Sequence, residues 1–106
     1  MTQIEKIARL MGLNYVLNSD QVSLLVPFSV GYRPFNPLTN KSDLMDVECA
    51  LGIDISWQKN GVICFGYQGI EMIECSSKFE NHPDKFTARS AAVCAVAEQI
   101  YDKGQV

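Results

Sequence analysis

The hydrophobic period of this chain changes at Gly52. Before it, "KSDLMDVECAL" (residues 41–51) sets Leu44, Val47 and Leu51 on one face at helical spacing, with Asn40 or Thr39 as cap. After it, Ile53, Ile55 and Trp57 alternate with Asp54, Ser56 and Gln58, the period of a strand with one buried and one wet face. Asn60-Gly61 signals a hairpin, because both residues tolerate positive φ. Ile63, Phe65 and Tyr67 continue the alternation, "GYQG" marks a second turn or a bulge, and "IEMIECSS" supplies a further strand. A meander of three short strands follows, and the chain lacks the βαβ alternation of a doubly wound sheet.

Helices flank this meander. Residues 2–12 carry an apolar stripe of Ile4, Ile7, Ala8 and Met11, with Thr2 and Glu5 at capping-box spacing and Gly12 at the end. Glu5, Lys6 and Arg9 are expected on its wet face. The last helix is expected over residues 87–101, capped by Thr87 or Asp84. Its Ala88, Ala91, Ala92 and Ala95 recur at spacings of three and four, which permits close approach to a neighbour. Residues 22–30 favour extended structure, but Pro27 makes this an edge strand or a broken one. Residues 31–40, "GYRPFNPLTN", read as a loop carrying Tyr32 and Phe35. With 106 residues, 47% of them apolar, the chain can build one core. The expected fold is a single α+β domain over residues 1–106, a short antiparallel sheet of three to four strands packed with about three helices.

Several function classes fall away. Nine Lys and Arg face twelve Asp and Glu, a net charge of −3. The basic residues are scattered and the aromatics do not interleave with them, so nucleic acid is not the expected partner. No run approaches the ~18 apolar residues of a membrane span, and "MTQIEKIARLMG" lacks the regions of a signal peptide. Cys49, Cys64, Cys75 and Cys94 form no CxxC pair and read as buried free thiols, not as a metal site or disulfides. His82, in "ENHPDK", reads as a surface histidine. No nucleotide-loop, zinc-protease, EF-hand or nucleophile-elbow motif is present. The expectation is no catalytic residue, no metal and no cofactor.

Two groups of residues are candidates for binding. Tyr32, Arg33 and Phe35 of the loop, with Trp57 and Tyr67 of the meander, are the candidate interaction surface. Thr87, Arg89 and Ser90 stand in the first turn of the last helix, where free N–H groups can meet an anion. The plainer reading of that turn is a capped helix end with a solvent-facing arginine.

Three stretches together carry a resemblance: "ARLMGL", "FNPLTNKSDLMDVECAL" and "TARSAAVCAVAEQI". Their order resembles the phage ABA sandwich domain family, small accessory proteins of tailed bacteriophages. The resemblance implies an α+β layer fold, a bacteriophage origin and action in the host cytoplasm. It supplies no catalytic residues. The functional expectation is a non-enzymatic interaction protein acting on a host or phage protein. The alternative is a small-ligand or nucleotide-binding module. A homodimer is also considered, because the Pro27 strand and the apolar last helix each need cover.

Overall fold

The structure is a computed structural model that describes residues 1–105. It is an α+β fold with three helices and two three-stranded antiparallel sheets. The helices are α1 (Gln3–Leu10), α2 (Lys41–Leu51) and α3 (Lys85–Gly104). Each starts on a side-chain oxygen. Thr2 accepts from the Glu5 N–H, Asn40 from the Asp43 N–H and Asp84 from the Thr87 N–H, at 3.1, 3.0 and 2.7 Å. Each bond satisfies a helix-end donor. Gly52 ends α2 in the left-handed region at φ 63°, as a C-cap glycine does.

The first sheet comprises β1 (Val16–Leu17), β2 (Leu24–Phe28) and β3 (Gly31–Phe35), in that order. This corrects the loop expected over residues 31–40, since residues 31–35 pair with β2 across a two-residue turn. Neither proline breaks the ladder. The closing pair of such a hairpin, Phe28–Gly31, is hydrogen-bonded, and N–H directions alternate from there. Pro27 and Pro34 stand one and three residues away, where an N–H would point outward. On the β1 side β2 is paired only at Leu24 and Leu25, so Pro27 lies at a free edge although β2 is the middle strand.

The second sheet is the expected meander, β4 (Asp54–Trp57), β5 (Gly61–Gln68) and β6 (Glu71–Lys78), with β5 in the middle. Its register pairs Ile55 with Cys64 and Trp57 with Val62. Paired residues share a face, so the two apolar sets read as one run lie on opposite faces of the sheet. Val62, Cys64 and Gly66 are buried against α3, whereas Ile63, Phe65 and Tyr67 point away from it. The small residues face the helix because α3 lies so close. A Cβ on Gly66 would come within 2.7 Å of Val96 Cγ1 and 3.0 Å of Ile100 Cδ1.

The turns also differ in mechanism from the expectation. Neither Asn60 nor Gly61 has positive φ. Gly61 is required instead because a Cβ there would collide with the Ser77 carbonyl on β6. At the second turn Gly69 does adopt φ 63°, the positive φ that a type II′ hairpin needs at its first central residue.

The core joins α3 (Ala88, Ala92, Val93, Val96, Ala97, Ile100) to Ile7 and Ala8 of α1, Leu44 and Val47 of α2, and Val62 and Ile73 of the second sheet. Leu24, Val26 and Phe35 bring the first sheet to the same core. The polar face of α1 is less wet than expected. Lys6 reaches α3, with Nζ 3.1 Å from Glu98 and 2.9 Å from Asp102, and the Tyr15 hydroxyl donates to Glu5. Among the described residues no helix is long and apolar enough to cross a membrane.

Candidate functional site

At the start of α3 the side chains of Thr87, Arg89 and Ser90 all have protein partners. The Asp84 carboxylate accepts from both the N–H and the hydroxyl of Thr87, at 2.7 and 2.8 Å. These bonds hold the Asp84 carboxyl below the usual carboxylate range. Ser90 is fully buried, and its hydroxyl donates back to the Phe86 carbonyl at 2.9 Å. Arg89 turns to α2 and grips Glu48 with two guanidinium N–H groups, Nε lying 2.7 Å from Oε2. Glu48 is nearly buried, and it raises the Arg89 pKa further above its ordinary value. The side chains of the three candidate anion-site residues therefore face protein partners. Bidentate pairing is the strong geometry for arginine and carboxylate, so Arg89 acts as a clasp between α2 and α3.

The five interaction residues are not brought together. Phe35 is 2% exposed and belongs to the core, which corrects its place in a surface. Arg33 is tied at Nη1 to the buried Asp43, 2.9 Å away. Tyr32 is exposed on β3, near the exposed Phe28 and Val30 of the hairpin tip. Trp57 and Tyr67 are both about half exposed but belong to opposite faces of the second sheet. Trp57 packs toward Phe79 of the 3-10 turn Phe79–Asn81, with ring centroids 6.2 Å apart.

The outer face of the second sheet is an uncovered apolar feature. Along β5 it presents Ile63, Phe65 and Tyr67, with Met72 of β6 paired beside Tyr67. Tyr67 and Met72 are 54% and 53% exposed, and Ile63 and Phe65 are only partly covered by their strand neighbours. Asp54 and Ser56 of β4 and Glu74 and Ser76 of β6 flank the row, since each pairs with Phe65 or Ile63. Sequence reasoning found Tyr67 and read its row only as a continuation of the β4 alternation. The available signal lay in β5 itself, where Val62, Cys64 and Gly66 are the only set small enough for an alanine-rich helix.

The cysteines are free, and three of them are enclosed or partly enclosed beneath this sheet. Burial pushes the Cys64 and Cys94 thiols up to about 12 and also raises Cys75. A thiol at such a pKa is almost entirely protonated near neutral pH, hence a poor nucleophile. Cys49 is exposed on α2 and was wrongly grouped with the buried thiols. Alkylation of the native protein at pH 8, followed by mass spectrometry, is expected to label Cys49 first and Cys75 more slowly. Cys64 and Cys94 should react only after unfolding; their labelling at the Cys49 rate would contradict the enclosure. Among the described residues no cluster of His, Cys, Asp and Glu is suited to a metal ion.

The expected kinship with the phage ABA sandwich domain, and with it the bacteriophage and accessory-protein assignment, is overturned. Comparison with family models, with curated proteins and with solved structures gives no match to this chain.

Proposed function

We propose that this chain is a non-enzymatic protein-interaction module that binds through the outer face of its second sheet. The observation that carries the reading is the row Ile63, Phe65, Tyr67 and Met72, which faces away from α3 and, among the described residues, has no helix packed closely over it. A one-sided antiparallel sheet ordinarily turns polar residues to water, giving alternation of apolar-in and polar-out. Here the middle strand is apolar on both faces. Contiguous exposed apolar surface with a polar rim is the usual mark of an interface. Asp54, Glu74, Ser56 and Ser76 supply that rim.

Affinity capture with the intact protein and with a Phe65→Ser/Tyr67→Asp variant tests this. Both positions lie off the core, so the variant should keep the wild-type circular dichroism spectrum. Proteins retained by the wild type but lost from the variant are the expected result. Equal retention by both chains would remove this face from the function.

A further inference from the structure

Five of the nine lysines and arginines are held in ion pairs: Lys6, Arg9, Arg33, Arg89 and Lys103. The other four are Lys41, Lys59, Lys78 and Lys85, none with a carboxylate within ion-pair distance among the described residues. All four stand at one end of the molecule. Lys41 and Lys85 open α2 and α3, and Lys59 and Lys78 flank the β4–β5 turn and the end of β6. The same end holds three aromatic rings. Lys41 Nζ lies 5.7 Å from the Phe86 ring centre, Lys85 Nζ lies 5.5 Å from that of Phe79, and Phe79 neighbours Trp57. These residues are far apart in the sequence, which is why the basic residues read as scattered. The fold gathers them.

Between the rings lies a cleft of about 260 Å³ walled by Leu44, Met45, Trp57 and Phe86, with Lys41 and Arg89 at its sides. Arg89 is committed to Glu48, so Lys41 provides the unpaired charge there. Two exposed acidic residues lie nearby, Glu80 beside Lys78 and Asp84 turned back to cap α3. The N-terminal ends of two helices add positive potential. Elsewhere the acidic residues outnumber the basic ones.

We infer that this end binds an acidic peptide segment of a partner protein, with one apolar side chain of the segment in the cleft. The walls suit an aromatic or branched aliphatic anchor, because Leu44, Met45, Trp57 and Phe86 line the cleft mainly with carbon and ring faces. The lysines along Phe79 meet carboxylates flanking that anchor, a pairing that steers encounter and sets specificity. A nucleic acid fits less well. It would run as a continuous polyanion beyond the four lysines onto an acidic surface. The inference is independent of the outer-face reading, since the cleft shares none of the residues Ile63, Phe65, Tyr67 and Met72.

Trp57 is the only tryptophan, so its fluorescence reads the site directly. The probe is a short synthetic peptide with one phenylalanine between runs of aspartate and glutamate. It should shift Trp57 emission on titration and bind more weakly as ionic strength rises. A peptide with alanine for the phenylalanine, and one with lysines for the acids, should each bind about tenfold more weakly or not at all. The double variant Lys41→Glu/Lys85→Glu should lose about tenfold in affinity and stay folded, since both positions are exposed and acids suit a helix N-terminus. The Phe65→Ser/Tyr67→Asp variant should bind the peptide like the wild type, so failure here is separable from failure of the outer-face reading. The inference is overturned by no response at millimolar acidic peptide, by equal binding of the basic peptide, or by tighter binding of oligodeoxythymidine.

Discussion

Gly66→Ala is expected to cost about 1–3 kcal/mol, the range for forcing a methyl group into a filled core. The new Cβ would lie 2.7 Å from Val96 Cγ1 and 3.0 Å from Ile100 Cδ1, both on buried side chains of α3. Neither can retreat to solvent, so the helix must lift or the side chains must leave their rotamers. For a domain near this size each 1 kcal/mol lowers Tm by roughly 4–8 °C, a shift that a thermal melt reads easily. Val96→Ala alone opens a cavity and is also destabilising. In the double variant the alanine at 66 occupies part of that space. The two losses should therefore add to clearly more than the measured double loss, with a coupling above about 0.5 kcal/mol. Strict additivity would mean that α3 does not approach β5 as closely as described. The same approach fixes the function proposed for the sheet, because it selects small residues inward and leaves Phe65 and Tyr67 outside.

That choice of face shows where sequence and structure part. The helices were legible because caps and periodicity are local: Thr2, Asn40 and Asp84 all take positions that their neighbours announce. The meander was legible for the same reason. Its facing was not, since Val62, Cys64 and Gly66 compete with Ile63, Phe65 and Tyr67 for the core. Hydrophobicity alone favours the larger set, and only the contour of α3, far along the chain, decides for the smaller. Of the first sheet only β2 was legible, as an edge or broken strand; its partner β3 was missed because prolines usually argue against strands, and here Pro27 and Pro34 both fall at outward-pointing positions of the ladder. The partner of Arg89 in the candidate anion site was hidden because it is long-range. Nothing near Arg89 in the sequence shows that Glu48, on another helix, will take its guanidinium. The lysine cluster was hidden likewise, because sequence spacing does not reveal which cations are left without an acid.

Asp43→Ala should be the most damaging change away from α3, with a loss of about 3 kcal/mol, the low end for breaking a buried ion pair. The Asp43 side chain is 1% exposed and holds three segments together. One carboxylate oxygen accepts from Arg33 Nη1 of β3 and the other from the Asn36 backbone N–H, both at 2.9 Å. Its own N–H donates to the Asn40 cap of α2. Alanine keeps that last bond and forfeits the first two. Arg33 can turn partly to water, at 37% exposure, which keeps the cost from rising higher. The Asn36 N–H has less freedom, and an unsatisfied donor is penalised in its own right. Asp43→Asn retains an acceptor oxygen without the charge and should fall between wild type and alanine. Urea unfolding gives the ordering through the midpoint at constant slope. Hydrogen exchange gives the location. The Asn36 amide should lose protection in the alanine variant and retain much of it in the asparagine variant, while the Val96 amide in α3 falls only with global stability. Unchanged exchange at Asn36 in the alanine variant would show that the β3–α2 connection is held by its packing and not by this carboxylate.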